Sequence, residues 1–476
     1  MIRKIVQHTF FYSFANQIPA IVNLFLLPLV TPYLSSADYA IYGLILSYIG
    51  LLGAFSSLGY IVLFQNSFFH LGQAFRPKWS RLLGFQWFYK IIYAALISTL
   101  LFIVLKSYTA STKELLIVLS LVVIPLLFFD LTKSIGIRLC QFRNDHKKVY
   151  LISICTALVA TALTLTGILY FNLGYKAWLV SAAVSGAIQA LYFGYILYFK
   201  EGIRPTFIWN RLEIIEDLKT ALPLVPKEYA TYILSSSDRV LLDQLHVSTQ
   251  QIGNYNIAYS FASYFDNIQM QANQVITPIL FRKFKEGNSV DFVRGLTHIW
   301  FFVSIVIATL VGLWIPVLFP FLYRNPTLAD SAPFAVLLFF TFCYRPLYVA
   351  AVDFSIFNKK TLPILFITLI AAVLNLLINV VLIPQFGAWA SVWATFISYL
   401  TLPILGFYLI RENFDMRKKI MPVLLIALTV LSALGCYSLF NTHLPARIGI
   451  TCVLLVFAFI IYWYKIRGFF QFINHE

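Results

Sequence analysis

The chain has 476 residues, 60% of them hydrophobic and 11% charged, with a formal net charge of +16. Soluble domains carry about 25% charged residues, so a charge density this low excludes a water-soluble fold for most of the chain. The basic residues are scattered over many short segments, which argues against a nucleic-acid-binding face. The five cysteines (Cys140, Cys155, Cys343, Cys436, Cys452) show no metal-ligand or disulfide-framework spacing.

Apolar runs of about 20 residues, each long enough to cross roughly 30 Å of hydrocarbon as a helix, recur from end to end. They predict an all-α membrane protein with about fourteen spans. These lie near 9–32, 39–64, 84–105, 114–138, 149–171, 177–199, 218–243, 251–281, 296–321, 331–357, 361–383, 387–410, 419–440 and 446–465. The first segment, MIRKIVQHTFFYSFANQIPAIVNLFLLPLV, is basic and then apolar and lacks a small-residue cleavage site. It is therefore expected to stay as span 1 and not to be removed as a signal peptide. Span 1 carries a polar stripe of Ser13, Asn16 and Asn23, interrupted by Pro19 and Pro28. Lys90, near the end of span 3, is expected to snorkel to the interface. In span 4, Asp130 and Lys133 stand three residues apart, a spacing at which they can neutralise each other.

Span 7 opens with Pro223 and Pro226, which predict a kink, and carries Lys227, Glu228, Asp238 and Arg239. In span 8, Asn256, Ser260, Ser263, Asn267, Met270, Gln274 and Thr277 recur at three- and four-residue steps and share one helix face. Asp266 lies beside that stripe. A polar stripe several turns long faces protein or water, not lipid. Span 10 holds Arg345 and Asp353.

With the N-terminus inside, 25 of the 35 basic residues fall in segments on that side of the membrane, and five (Lys106, Lys113, Lys176, Arg324, Arg447) on the other. This is the positive-inside asymmetry, and it predicts cytoplasmic N- and C-termini.

The chain also repeats itself at an offset of about 213 residues. SSADYAIYGLILSY from Ser35 aligns with STQQIGNYNIAYSF from Ser248, and Gly174, Ala177, Ser185 and Tyr195 meet Gly387, Ala390, Ser398 and Tyr408. At offset 212, Lys133 meets Arg345, and Lys147 and Lys148 meet Lys359 and Lys360. An offset of six helices preserves helix direction, so the halves relate by an axis along the membrane normal. Two six-helix bundles around a central cavity are expected, at 1–200 and 218–411, with a cytoplasmic linker at 201–217 and two additional spans in 412–476. The polar faces of spans 1, 2, 7 and 8 are expected to line the cavity.

A charge at the bilayer centre costs roughly 2.5–3.5 kcal/mol on insertion scales, so the deep charges need an explanation. Either they pair among helices and fix packing, with Arg239 meeting Asp243 or Asp266, or they serve a charged ligand. Arg345 has no acidic residue within four positions, and Lys133 is its repeat counterpart. Both are candidate anion ligands. Arg239, Lys227, Asn16, Asn23, Asn267 and Gln274 complete the candidate substrate-binding set. Asp266, mid-span on the most polar helix, leads the candidates for a coupling ion, followed by Glu228 and Asp238. A proton or a sodium ion suits such carboxylates. No nucleotide-binding loop of the GxxxxGK[ST] type is present, which leaves an ion gradient as the energy source. No cofactor and no metal centre are expected.

The segment ALPLVPKEYATYILSSSDRVLLDQLHVSTQQIGNYNIAYSFASYFDNIQMQANQVITPILFRKF resembles the middle of bacterial polysaccharide-biosynthesis membrane proteins, the O-antigen flippase group. So do AAVLNLLINVVLIPQFGAWASVWATFISYL and the N-terminal LPLVTPYLSSADYAIYGLILSYIGLLGAFSSLGY. The group belongs to the multidrug/oligosaccharidyl-lipid/polysaccharide exporter superfamily, and its members resemble multidrug extrusion transporters and lipid II flippases in fold. The resemblance implies two six-helix lobes around a V-shaped cavity that works by alternating access in the bacterial cytoplasmic membrane. It also implies an undecaprenyl-pyrophosphate-linked oligosaccharide, moved from the cytoplasmic to the outer leaflet for surface polysaccharide assembly. The expected partners are membrane lipid, the lipid-linked oligosaccharide, and a polysaccharide polymerase or glycosyltransferases. Many members have twelve spans, two fewer than predicted here. A drug antiporter of the same fold and a lipid II flippase are the rival transport readings. An enzyme is not expected, because the loops predicted outside are only a few residues long and no Asp-x-Asp site is present.

Overall fold

A computed structural model describes residues 18–410, apart from 54, 57, 110, 144, 209–210, 223–224, 287–289 and 359–361, together with 421–461 and 463. The described residues form helices and connecting turns, with no strand among them. Nine helical segments among them are long and apolar enough to cross a membrane. Shorter or more polar helices lie at the other predicted spans. The chain divides into two compact units, Ile18–Val240 and a second that includes Leu241–Glu476.

The first unit begins with α1 (Ile18–Val30), α2 (Ser36–Gly53) and α3 (Tyr60–His70). The single run predicted at 39–64 is therefore two helices. Leu58 and Gly59 turn the chain between them with φ of +47° and +71°. Gly59 is required there twice over, because an added Cβ would lie 2.4 Å from the Ala221 carbonyl oxygen and because its φ is left-handed. Next come α4 (Phe75–Leu105), α5 (Thr112–Ile124), a π-helical stretch at Pro125–Phe129, α6 (Asp130–Phe142), α7 (His146–Leu169) and α8 (Lys176–Gly194). A separate α9 (Arg211–Ala221) precedes α10 (Val225–Gln244), so residues 218–221 belong to the connection and not to span 7. The core of this unit gathers Trp79, Tyr60, Phe64, Leu83, Ile135 and Phe193. Trp79 keeps its indole N–H satisfied there by donating to the Phe64 carbonyl (3.0 Å) and to Ser67 Oγ (2.8 Å).

The second unit holds α11 (Thr249–Glu286), α12 (Val290–Leu322), α13 (Ala332–Thr341), a 3-10 turn at Phe342–Tyr344, α14 (Arg345–Phe357), α15 (Leu362–Phe386), α16 (Ala388–Ile410), α17 (Met421–Ser438) and α18 (Leu444–Ile461). The asparagines of α15 are buried and bonded locally. Asn379 Nδ2 donates to the Asn375 carbonyl (3.0 Å), and Ser391 Oγ donates to Asn379 Oδ1 (2.7 Å), joining α15 to α16.

The internal repeat is visible in hydrogen bonds within each unit. Asp38 Oδ1 accepts from Tyr175 N at 2.9 Å, beside Gly174 with φ +55°. Gln251 Oε1 accepts from Ala388 N at 3.2 Å, beside Gly387 with φ +56°. Gln251 follows Asp38, and Ala388 follows Tyr175, by the same 213 positions. In both units a side-chain oxygen thus satisfies an amide at a helix start, where no intrahelical acceptor exists.

Candidate functional site

In α11, Gln269 is buried and fixed to α12. Its Nε2 donates to Ser304 Oγ at 2.6 Å, and its Oε1 accepts from Trp300 Nε1 at 2.7 Å. Phe265, on the same side, stacks on Phe339 of α13 at 4.7 Å between ring centres. These contacts set the rotation of the helix. At 100° per residue, Ser263, Asn267, Met270 and Gln274 are then turned away from the anchored side, and Asn267, Met270 and Gln274 are exposed. Asp266 lies between the anchored and open sides.

Arg345 reaches Asp266 from the start of α14. Its Nε donates to Asp266 Oδ1 at 2.7 Å, and Nη2 contacts the same oxygen. The side chains retain 21% and 23% exposure respectively, so the pair is shielded but open on one side. Arg345 Nη1 points at Met270 Sδ, 2.9 Å away. A thioether is a weak acceptor, so one limb of the guanidinium is held far less firmly than the other. The 3-10 turn just before Arg345 places Phe342 against Tyr259 and Tyr399, at 6.1 and 5.4 Å between ring centres.

Arg345, with no acidic residue within four positions, nonetheless has a carboxylate partner. The partner is 79 residues away in sequence, beyond any helix-local spacing. Asp266 is thus engaged from within its own unit. In the first unit, Asp130 bonds Lys90 of α4 at 3.1 Å and not Lys133. Lys90 does not snorkel: its side chain is 3% exposed, and its ammonium also lies 5.3 Å from the Tyr93 ring centre. A half-buried Lys133 makes no ion pair among the described residues.

The other candidates are dispersed. Lys227 and Glu228 are exposed in the first turn of α10, and Asn23 is exposed on α1. Asp238 and Arg239 are buried, with Arg239 Nη1 donating to the Ser235 carbonyl at 3.0 Å. Buried Asp353 accepts from Thr277 Oγ1 at 2.7 Å. Asn16, Lys359 and Lys360 lie outside the described residues. No group of three His, Cys, Asp or Glu residues able to hold a metal occurs among the described residues. Sequence reasoning missed Tyr399 and the deep burial of Lys90. Neither stands in a periodic polar stripe that would mark it.

Residues 5–284 match the family described as polysaccharide biosynthesis protein. No curated protein matches the chain. Among solved structures, the lipid II flippase MurJ in an inward closed conformation is similar over 91% of this chain and 98% of its own, with 12% identity and a TM-score of 0.63. An inward-facing multidrug resistance MATE family transporter of the MOP superfamily is similar over 82% of this chain and 94% of its own, with 13% identity and a TM-score of 0.60. The Vibrio cholerae MATE transporter VcmN in its bent form is similar over 92% of this chain and 98% of its own, with 11% identity and a TM-score of 0.52. At these identities the likeness is one of fold: a multi-pass helical arrangement of the transporter and flippase kind. With more than half of its length matched by the family, the chain belongs to the polysaccharide biosynthesis proteins.

Proposed function

We propose that the chain is a flippase that moves an undecaprenyl-pyrophosphate-linked oligosaccharide from the cytoplasmic to the outer leaflet of a bacterial cytoplasmic membrane, driven by an ion gradient. The observation that carries this reading is the partly open Arg345–Asp266 pair on a polar membrane helix. A carboxylate and a pyrophosphate compete for one guanidinium. When Asp266 takes up a proton, its hold on Arg345 weakens and the planar N–H fork can bind two phosphate oxygens. Headgroup and proton then cross together; the load stays net negative, so the inside-negative membrane potential drives it outward, and when Asp266 loses the proton at the outer face it reclaims Arg345 and expels the anion. Lys133, the repeat counterpart in the first unit, is the other candidate anion ligand. Asn23, Asn267 and Gln274 are exposed amides suited to sugar hydroxyls, and the prenyl tail stays in lipid.

In this reading the protein is a transporter and not an enzyme, both termini are cytoplasmic, and a polymerase or glycosyltransferase receives or supplies the substrate. A drug-cation antiporter would need a carboxylate available to the cation, and the engagement of Asp266 by Arg345 counts against it. The test is deletion of the gene followed by analysis of surface polysaccharide and lipid-linked intermediates. Loss of surface glycan with accumulation of its lipid-linked precursor inside is expected. Unchanged surface glycan would overturn the reading.

A further inference from the structure

The connection between α8 and α10 carries a feature that the transport cycle does not use. Helix α9 has 11 residues, about 16 Å of helix, too short to cross the membrane. Its charges are sorted by side. Glu213 and Asp217 face α4, where Lys78 Nζ donates to Glu213 Oε1 (2.9 Å) and to Asp217 Oδ2 (2.7 Å), and Arg81 Nη2 donates to Glu213 (3.1 Å). Burial raises the Glu213 carboxyl, but the hydrogen bonds from Lys78 and Arg81 outweigh it and hold the group below its usual range. This latch therefore stays charged at neutral pH.

The side turned away from the latch is apolar. Leu212, Ile215 and Leu222 are exposed, as are Phe207 and Ile208 just before the helix. At about 100° per residue, Leu212 and Ile215 lie about 60° apart on one arc, and Leu222, just past the end of α9, lines one shallow groove with Ile215 and Lys219. Arg211 and Lys219 are exposed on or just beside that arc, and the nearest exposed acid, Glu216, sits past its far edge.

The depth of α9 follows from α4. That helix has 31 residues, about 46 Å, against roughly 30 Å of hydrocarbon core. Its apolar sequence begins at Leu82, so Lys78 and Arg81 project into the headgroup layer and hold α9 there. The preceding stretch of chain is seated at the same level, with Thr206 N donating to the Ser80 carbonyl at 2.9 Å. Gly84 makes this close approach available, because an added Cβ would lie 1.8 Å from the Thr206 carbonyl oxygen.

We infer that α9 is an interfacial anchor. Its Leu212–Ile215 face, continued by Leu222 just past the helix, enters the acyl boundary, and Arg211 and Lys219 bind the phosphates of anionic phospholipids. The occupant is lipid for two reasons: the exposed cations flank the apolar arc while Glu213 and Asp217 are withdrawn into the latch, and the helix is held at headgroup depth. Interfacial helices of this composition bury their apolar face about 5–10 Å into that layer.

The test uses full-length protein lacking the native cysteines, reconstituted in phosphatidylethanolamine vesicles with or without phosphatidylglycerol. Nitroxide labels are placed singly through Leu212→Cys, Ile215→Cys, Glu216→Cys and Thr220→Cys. Collision with oxygen, which partitions into lipid, is compared with collision with a water-soluble nickel chelate. The oxygen-to-nickel ratio at 212 and 215 is expected to exceed that at 216 and 220 several-fold. It should fall when phosphatidylglycerol is omitted, or when Arg211→Glu and Lys219→Glu are combined. Equal ratios at all four positions would overturn the inference. So would labels at 212 and 215 shielded from both reagents, which indicates a protein partner, and so would ratios indifferent to anionic lipid. None of these readouts requires a glycan substrate, so they stand apart from the flippase reading.

Discussion

Asp266→Asn isolates the competition at the centre of the proposed cycle. The variant keeps shape and one neutral acceptor but removes the charge that holds Arg345. The wild-type carboxylate takes two contacts from the guanidinium through one oxygen. Hydrogen bonds to charged groups are worth about 1.5–3 kcal/mol each. With roughly a fifth of each side chain exposed, part of that is screened, and the asparagine recovers a further part. A net loss of about 1.5–3 kcal/mol remains, which is roughly 10- to 100-fold in an equilibrium constant. The variant is therefore expected to bind a pyrophosphate headgroup roughly 10- to 100-fold more tightly and to release it poorly. Wild-type affinity should approach that of the variant as the pH falls and Asp266 is protonated, so the difference between them widens as the pH rises. The assay is binding and flipping of a lipid-linked oligosaccharide in vesicles under an imposed pH or sodium gradient. Arg345→Ala should abolish flipping at near-normal protein level, and Arg345→Lys should retain part of it. Undiminished gradient-driven transport by Asp266→Asn would refute the competition. Transport indifferent to both gradients would remove ion coupling altogether.

Three further outcomes are expected. Asp130→Asn should destabilise the first unit more than Lys90→Met, because it strands the 3%-exposed ammonium while Asp130 is 38% exposed. With the lost carboxylate partly screened by solvent and the asparagine keeping an acceptor, the expected cost is about 1–3 kcal/mol, read as the difference in thermal or denaturant unfolding in detergent. The Glu213 carboxyl is held below its ordinary range, so its contribution to the α9 latch is complete above that range and is lost only as pH falls through the depressed value. Protease cleavage near α9 should accordingly rise only in strongly acid buffer, whereas Glu213→Gln should raise it at neutral pH. Cysteines at Ser263, Asn267 and Gln274 should react with a water-soluble thiol reagent in a background lacking the native cysteines. Uniform protection in every transport state would count against a hydrated α11 face.

Much of the helical layout was legible because hydrophobic runs are local. The polar stripe of α11 was legible for the same reason: Asn267, Met270 and Gln274 share a face by periodicity alone. Ion pairing was not. Arg345 and Asp266 are joined across 79 residues, and Lys90 and Asp130 across 40, and nothing in a helix-local pattern states which helices touch. The nearer pairing of Lys133 with Asp130 was wrong for that reason. The break between α2 and α3 was hidden because residues 51–64 carry no charge and are mostly apolar, while the turn depends on the close approach of the Ala221 carbonyl to Gly59.

The repeat shows why scaffold and site have different legibility. Asp38 with Tyr175 and Gln251 with Ala388 build the same turn 213 positions apart, because a helix start needs an acceptor in either half. The charged breaks follow no such rule. Span 4 is interrupted by a π-helical stretch just before Asp130, and span 10 by a 3-10 turn just before Arg345. In the first, the carboxylate at the break is taken by a buried lysine. In the second, the cation at the break is held by a carboxylate that remains partly open. The difference lies in the cation: Lys90 is 3% exposed beside a 38%-exposed Asp130, whereas Arg345 keeps 21% exposure beside Asp266 at 23%, so only the second cation stays reachable by an incoming anion. The two halves therefore share a backbone plan, with the like-charged Lys133 and Arg345 at matching positions, but among the described residues only Arg345 is held by a carboxylate. Arg345, the cation that stays reachable, is therefore where an anionic headgroup is expected to bind.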